Sequence, residues 1–118
     1  MSTGPTAASA PAAGTTLQPS DFAASAKLPD TVLLDVRTPE EFASGHLPGA
    51  VNVDIESADF PARLMALDKS RPYAVYCRSG NRSKAAMTVM QQAGFDKLFD
   101  LGGGINAWKS AGGEVVTG

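Results

Sequence analysis

The sequence has very few of the residues that build disulfides and metal sites. Cys77 is its only cysteine and His46 its only histidine, among 118 residues. A single cysteine excludes an internal disulfide, and a structural zinc site needs about four cysteine or histidine ligands. The sequence therefore predicts a domain that is stabilised by its apolar core and that binds no metal and no cofactor.

Long hydrophobic runs and an excess of one charge are also absent. No apolar run approaches the roughly 18 residues of a membrane span. Ten basic residues stand against 12 acidic ones, for a net charge of −2, which argues against nucleic acid as a partner, although a small site can still be locally positive. The length and the 43% hydrophobic content indicate one soluble globular domain. We expect a monomer with no membrane partner.

The first 14 residues have no charge and, after Met1, only Ala, Pro, Ser, Thr and Gly. Such a segment cannot bury enough apolar surface to offset its ordering entropy. The sequence therefore predicts a disordered tail over 1–14 and a folded domain over 15–118. The tail lacks the basic and apolar regions of a signal peptide, which favours a cytoplasmic protein, although a processed exported form would have the same sequence.

From residue 15 onward, short apolar runs alternate with helical patterns. Four runs of strand length cover residues 31–36, 50–54, 73–77 and 97–101. The helix candidates are 19–26, 38–45, 58–67, a segment that starts near Arg82 or Ser83 and ends at Gly94, and 104–112. This alternation predicts an α/β domain with a mostly parallel sheet and helices on both faces.

Local signals specify several helix ends and faces. Ser20 is a candidate N-cap for the first helix. Thr38 and Glu41 have the spacing of a capping box at the start of the second helix. In the fourth helix, apolar residues at positions i, i+3, i+4 and i+7 predict a buried face. Its residues are Ala86, Val89, Met90 and Ala93.

Cys77 stands between the apolar run "YAVY" and the polar segment "RSGNRS". In open α/β sheets, ligands bind outside the carboxyl ends of the strands. Cys77 lies at such an end, and Asp35 and Arg37 lie at the end of another run. We therefore expect these residues at the same edge of the sheet.

The segment after Cys77 predicts a loop that holds an anion. Gly80 and Asn81 tolerate the positive φ of a tight curl, and a curled loop at a helix N-terminus aims N–H groups inward. Arg78 and Arg82 add positive charge. A lone cysteine after an apolar run is most often a small buried hydrophobe, but this neighbourhood predicts a reactive thiolate at neutral pH.

The loop length separates two kinds of chemistry. Cysteine phosphatases have five residues between the cysteine and an arginine, a loop that wraps a phosphate. Here four residues separate Cys77 from Arg82, and Ser83 follows. A smaller ring of N–H groups suits a single sulfur atom better than a tetrahedral phosphate.

Three segments together resemble the single-domain rhodaneses, or thiosulfate sulfurtransferases: residues 33–54, 76–83 and 101–115. The resemblance extends from about residue 15 to residue 118. It implies a small rhodanese-like domain with a central five-stranded parallel sheet and helices on both faces. It also implies ping-pong catalysis, in which a cysteine takes sulfane sulfur from thiosulfate as a persulfide and passes it to cyanide or a thiol.

The resemblance also implies roles for individual residues. Cys77 matches the sulfur-accepting cysteine. The active-site loop that begins with this cysteine continues through Arg78, Ser79, Gly80, Asn81 and Arg82. Either arginine would attract the anionic donor and the leaving sulfite, and the sequence does not decide between them.

Asp35 and Arg37 match the Asp-Val-Arg element of the family. Two roles remain open for them: Arg37 reaches the mouth of the pocket, or both residues form ion pairs that position neighbouring loops. His46 belongs to "GHLPGA", which resembles a structural turn with the histidine bonded to the backbone. Trp108 shares a helix face with Ile105, so we expect it to fill the core.

Three alternatives to a small-molecule sulfurtransferase remain open. The chain could carry a persulfide to an acceptor protein. It could be an arsenate reductase or a phosphatase-like enzyme, although the short loop and the single cysteine argue against both. It could also be a binding domain without catalysis.

Overall fold

Five strands and five helices alternate along residues 13–118, the part of the chain that the computed structural model describes. In chain order they are β1 (Thr15–Leu17), α1 (Pro19–Ala26), β2 (Val32–Asp35), α2 (Pro39–Ser44), β3 (Val51–Asn52), α3 (Phe60–Met65), β4 (Tyr73–Tyr76), α4 (Asn81–Gln92), β5 (Leu98–Leu101) and α5 (Gly104–Ser110). Within this part of the chain, no helix has the length and apolar character needed to cross a bilayer.

The strands form one parallel sheet in the order β1-β5-β4-β2-β3. The central strand β4 pairs with β2 on one side and with β5 on the other, and all its residues are buried. A strand covered on both faces reads as a continuous apolar run rather than an alternating one. The arrangement confirms the predicted α/β fold with a five-stranded parallel sheet.

Helices cover both faces of the sheet. Phe22 of α1 and Ile105 of α5 belong to the core cluster on one face. Leu64 of α3 and Met90 of α4 belong to the cluster on the other face. The predicted placement of helices on both faces is therefore also confirmed.

Side chains at the carboxyl end of the sheet alternate between these two clusters. Tyr76 lies in the cluster with α1 and α5, whereas Cys77 lies in the cluster with α3 and α4. Leu98 of β5 also lies in the α4 cluster. Because side chains repeat every second residue along a strand, Asp100 lies on this face too. The fold thus brings Cys77, Asp100 and the first turn of α4 together.

The edge strand β1 has no counterpart among the four apolar runs of the sequence. It pairs with β5, in a register that places Leu17 beside Leu101. Gly14 joins the same edge, because its N–H donates to the carbonyl of Leu98 over 2.8 Å. Pairing with β5, rather than a hydrophobic pattern of its own, specifies this strand. Residues 1–12 of the predicted tail lie outside the described part of the chain.

The helix ends confirm one capping prediction and correct another. The Thr38 hydroxyl accepts the N–H of Glu41 at 3.2 Å, and the Glu41 carboxylate accepts the N–H of Thr38 at 3.1 Å, so the capping box is confirmed. Ser20 is wrong as an N-cap, because α1 begins one residue before it at Pro19 and Gln18 is the cap. The fixed φ of proline suits the first helical position.

The buried face of α4 also differs from the predicted one. Val89 is 39% exposed, and the buried residues are Ser83, Ala86, Met87 and Met90. These four keep the predicted i, i+3, i+4, i+7 spacing but start three residues earlier. The first residue of this face is Ser83. A search for apolar residues at helical spacing does not find a face that begins with a serine.

Candidate active site

Cys77 directly follows β4 and is fully buried. Its sulfur has polar neighbours within the core. The Gly80 N–H donates to Sγ over 3.0 Å, and the Ser83 Oγ lies 3.7 Å from Sγ. The sequence left two alternatives for Cys77, a buried hydrophobic residue or a sulfur held by the loop. The structure combines them, because Cys77 is a core residue and its sulfur also accepts a backbone N–H.

The loop after Cys77 curls as the sequence predicts. Gly80 has φ +109° and is the N-cap of α4, which begins at Asn81. This left-handed conformation favours glycine. The first turn of a helix leaves N–H groups without intrahelical acceptors and carries a partial positive charge. The loop thus brings a helix N-terminus to the sulfur.

The two loop arginines have different surroundings. The two terminal guanidinium nitrogens of Arg82, Nη1 and Nη2, donate to the Glu41 carboxylate over 2.7 and 2.9 Å. Arg78 is exposed, and among residues 13–118 it has no carboxylate within 4 Å. The hydrogen bonds from Arg82 are the main cause that lowers the pKa of Glu41 from 4.5 to about 2. Arg82 thus holds the loop to α2, and Arg78 carries an unpaired positive charge.

The start of α5 holds the loop in place by backbone hydrogen bonds. The N–H of Ile105 donates to the Cys77 carbonyl over 2.9 Å, and the N–H of Asn106 donates to the Arg78 carbonyl over 3.2 Å. Gly104 has φ +61°, and a Cβ there would lie 2.4 Å from the carbonyl carbon and oxygen of Arg78. Only glycine permits this close approach.

Asp35 and Arg37 form a buried ion pair at the carboxyl end of β2. The Arg37 Nη2 lies 2.6 Å from the Asp35 Oδ2, and Nη2 also donates to the Gly45 carbonyl over 2.7 Å. Arg37 is only 4% exposed. This geometry is the second of the two alternatives for these residues, an ion pair that joins β2 to the end of α2.

His46 and Trp108 have the surroundings expected for structural residues. The His46 Nδ1 lies 2.9 Å from the Phe42 carbonyl oxygen, and its ring stacks on the Phe42 ring. Its backbone pairs with Val116. Trp108 is only half-buried, so it lies at the margin of the core rather than filling it. It packs edge-on against Phe22 and donates its indole N–H to the Glu114 carbonyl.

Sequence reasoning missed three residues around the loop: Glu41 as the partner of Arg82, and Ser83 and Asp100 behind Cys77. Asp100 is fully buried in β5, and its carboxylate accepts the Ser83 hydroxyl over 2.7 Å. An acidic residue inside the apolar run 97–101 was a signal for a buried polar contact. Its partner lies 17 residues away in the chain, and periodicity does not reveal such a pairing.

A cavity of about 720 Å³ lies far from this loop. Its lining includes Pro29 before β2, Pro72 before β4 and Lys97 before β5. These residues precede the strands, so the cavity lies at the amino-terminal edge of the sheet. The Cys77 loop lies at the opposite, carboxyl edge of the sheet, so this cavity is not part of the candidate site.

Known proteins are similar to this chain in sequence and in fold. Residues 18–111 match the family described as the rhodanese-like domain. Over 87 residues, the chain is 38% identical to a sulfurtransferase from Allochromatium vinosum, covering 74% of this chain and 79% of the relative. Over 79 residues, it is 39% identical to the thiosulfate sulfurtransferase GlpE from Pseudomonas aeruginosa, covering 66% and 69%.

The fold comparison agrees with the sequence comparison. The crystal structure of a rhodanese-related protein from Thermoplasma volcanium superposes with a TM-score of 0.78 at 31% identity, covering 88% of this chain and 99% of that one. The family match spans most of the described residues and includes Cys77 and its whole loop. The chain therefore belongs to the rhodanese family.

Proposed function

We propose that this protein is a thiosulfate sulfurtransferase in which Cys77 carries sulfur as a persulfide. The observation that carries the proposal is the Gly80 N–H, 3.0 Å from the Cys77 Sγ, at the N-terminus of α4. A backbone N–H and the positive end of a helix both stabilise a thiolate, and the thiolate is the nucleophilic form of cysteine. The curated relatives named above are sulfurtransferases.

In the loading step, the Cys77 thiolate attacks the outer sulfur of thiosulfate. A new S–S bond forms, the bond between the outer sulfur and the sulfonate sulfur breaks, and its electron pair leaves with sulfite. The negative charge of the protein then moves from Sγ to the terminal persulfide sulfur. The N–H groups of the loop and of the first turn of α4 would hold this anion.

In the delivery step, cyanide or a thiolate attacks the terminal sulfur. The lone pair of the acceptor forms the new bond, the persulfide S–S bond breaks, and the electron pair returns to Sγ. The Gly80 N–H stabilises the thiolate that leaves. A preformed thiolate and a stable anionic leaving group require no acid–base partner.

The surroundings of the two arginines suggest separate roles. Arg78 is exposed, so its charge would attract an anionic donor to the loop. Arg82 is neutralised by Glu41 and would keep the loop in position. A fully buried Sγ also favours small donors over bulky phosphate esters.

The test is the intact mass of the protein after incubation with thiosulfate and desalting without reductant. We expect a gain of one sulfur atom, removed by cyanide and absent in Cys77→Ser, with the far-UV circular dichroism of that variant unchanged. A wild-type protein with free, reduced Cys77 and no added sulfur would contradict the proposal.

Parallel assays separate the alternatives. Turnover of a phosphate ester or of arsenate, without sulfur uptake, would favour the phosphatase or reductase function. Rapid loading with slow delivery to both cyanide and small thiols would favour a persulfide carrier for an acceptor protein. Chemical inertness of Cys77 in every assay would favour a binding domain.

A further inference from the structure

A polar network built on two buried residues lies next to Cys77, between β1, α4 and β5. The Asp100 carboxylate accepts the hydroxyls of Ser83 and Thr16, over 2.7 and 2.6 Å. The Lys84 ammonium lies 3.7 Å from the same carboxylate and donates to the Thr16 hydroxyl over 2.8 Å. Asp100 and Ser83 are both fully buried. The network therefore connects a buried carboxylate to the sulfur through one hydroxyl.

The Ser83 hydroxyl has one proton and three polar neighbours. The Asp100 Oδ2 at 2.7 Å and the Gly80 carbonyl oxygen at 3.1 Å accept from it, whereas the Cys77 thiol donates to its Oγ over 3.7 Å and becomes an acceptor only as a thiolate. A serine hydroxyl donates one hydrogen bond and can rotate to choose its acceptor. Hydrogen bonds to ionised groups are stronger than those to neutral groups. A negative charge on Sγ therefore makes the sulfur a competing acceptor for this proton.

The charge on Sγ changes during the proposed sulfur cycle. In the thiolate the negative charge is on Sγ itself, whereas in the persulfide it is on the terminal sulfur. Asp100 competes for the Ser83 proton in both states. Whether the Ser83 hydroxyl donates to Asp100 or to Cys77 thus depends on where the sulfur cycle places the negative charge.

We propose that Ser83 and Asp100 form a charge-responsive pair behind Cys77. Ser83 donates to Asp100 while Sγ is uncharged, and it rotates to donate to Sγ as the thiolate forms. Ser83 touches the reacting sulfur, and Asp100 is a positioning residue that acts through Ser83. The role in sulfur delivery rests on the proposed function, but the effect on the thiolate does not.

Other charged groups lie on the elements around Cys77. They are Asp35 and Arg37 at the end of β2, Glu41 on α2, Glu56 before α3, Arg78 in the loop, Arg82 and Lys84 on α4, and Asp100 on β5. The β2 pair is internally neutral, and Glu41 neutralises Arg82. Among the described residues, Asp100 is the only one of these groups that bonds to a side chain in contact with Sγ.

Ser83→Ala tests the delivery step. The acceptor attacks the terminal sulfur, the S–S bond breaks and the electron pair goes to Sγ, where Ser83 would stabilise the charge. Losing a hydrogen bond to a charged group should slow this half-reaction about tenfold. Loading removes charge from Sγ, so it should not slow when measured at a pH where Cys77 is ionised in both wild type and Ser83→Ala. Rapid-quench mass spectrometry measures each half-reaction separately, with thiosulfate for loading and cyanide for delivery.

The pH dependence of iodoacetamide alkylation tests the thiolate without any sulfur transfer. Ser83→Ala should shift the pH–rate profile of Cys77 upward, because the thiolate loses a donor. Asp100→Asn should shift it downward, because the competing carboxylate charge is gone. Each shift should be roughly half to one pH unit. Removing the Asp100 charge favours the thiolate even without Ser83, so the double variant decides how Asp100 acts. If Asp100 acts through Ser83, the Asp100→Asn shift should be smaller in the Ser83→Ala background, and an equal shift in both backgrounds would mean that it acts by charge alone.

Thr88→Ala is the matched control. It removes a hydroxyl of α4 that donates to the Lys84 carbonyl, away from Cys77. The substitution should leave the alkylation profile and both half-reactions unchanged. Shifts in the same direction for the two test variants, or equal slowing of both half-reactions by Ser83→Ala, would overturn the proposal. If Asp100→Asn fails to fold, the loading and delivery rates of Ser83→Ala test the proposal. If the wild type takes up no sulfur, the alkylation profiles of the variants test it.

Discussion

Cys77 packs against apolar residues of the α4 cluster and at the same time accepts a hydrogen bond from Gly80. Burial alone would disfavour a charged sulfur. The backbone N–H and the helix N-terminus act in the opposite direction. The chemistry of this residue therefore depends on a few directed contacts rather than on exposure.

Arg78→Ala should weaken donor binding more than it slows chemistry. We expect the KM for thiosulfate to rise about three- to tenfold with a small change in kcat, because the residue supplies long-range attraction rather than a contact to the reacting sulfur. Steady-state kinetics at low and at high salt check this. The effect should shrink with added salt, because exposed charges are screened.

Arg71→Ala is the control for Arg78→Ala. Arg71 is an exposed arginine whose Nε donates to the Asp30 carbonyl, and its neighbours precede the strands, at the opposite edge of the sheet. The substitution removes the same charge from the molecule, so it should leave the KM for thiosulfate nearly unchanged. Equal effects of the two substitutions would mean that net charge, not the position of Arg78, attracts the donor.

Two β–α units, β4 with α4 and β5 with α5, meet at the active-site loop. The first pair supplies Cys77 and the helix N-terminus, and the second fixes the loop carbonyls through the N–H groups of Ile105 and Asn106. One unit provides the nucleophile and the other holds the loop backbone, so the loop depends on the close approach of two consecutive β–α units.

Gly104→Ala should disturb this approach. A Cβ 2.4 Å from the carbonyl of Arg78 requires the turn or the loop to move. We expect a loss of unfolding free energy of more than about 2 kcal/mol, typical of a severe steric clash, together with a large loss of sulfur transfer. Urea denaturation and the transfer assay measure the two effects.

Gly112→Ala separates the steric clash from the backbone effect. Gly112 also has a positive φ, +85°, but a Cβ there meets no atom within 4 Å. The substitution should cost only about 1–2 kcal/mol, the strain of a left-handed backbone, with transfer activity retained. Equal losses of activity for the two alanine variants would argue against a role for Gly104 in supporting the loop.

Across the whole molecule, the Arg82–Glu41 pair connects α4 to α2 and links stability to pH. The pKa of Glu41 falls from 4.5 to about 2, mainly through its hydrogen bonds with Arg82. A carboxyl whose pKa is lower in the folded state contributes stability that is fully present above its unfolded value. This contribution is lost as the pH falls from about 4.5 to about 2.

Glu41→Gln should therefore reduce the unfolding free energy at pH 7, and the difference from wild type should shrink towards pH 2. The difference at neutral pH should be about 1 kcal/mol, since the pair is partly exposed and solvent screens it. Urea denaturation over this pH range measures the difference. Glu40→Gln, on the exposed side of α2, should change the unfolding free energy by less than about 0.5 kcal/mol.

The sequence by itself determined the α/β class, the five helices and four of the five strands. These follow from the spacing of apolar residues and from caps such as Thr38, which act over a few neighbouring residues. The curl of the loop was also predictable at Gly80, which has the positive φ, whereas the same expectation for Asn81 is wrong, because Asn81 begins α4. Strand β1 was not predictable from periodicity, because pairing with β5 specifies it.

Only the tertiary structure decided which side chains meet at the sulfur. Ser83 contacts Asp100, and Arg82 contacts Glu41 across 41 positions of the chain. No periodic pattern records such contacts, since they depend on how α4 packs against β5 and α2. A buried polar group needs a partner, so the sequence could indicate that Asp100 has one, but only folding determined that the partner stands beside Cys77.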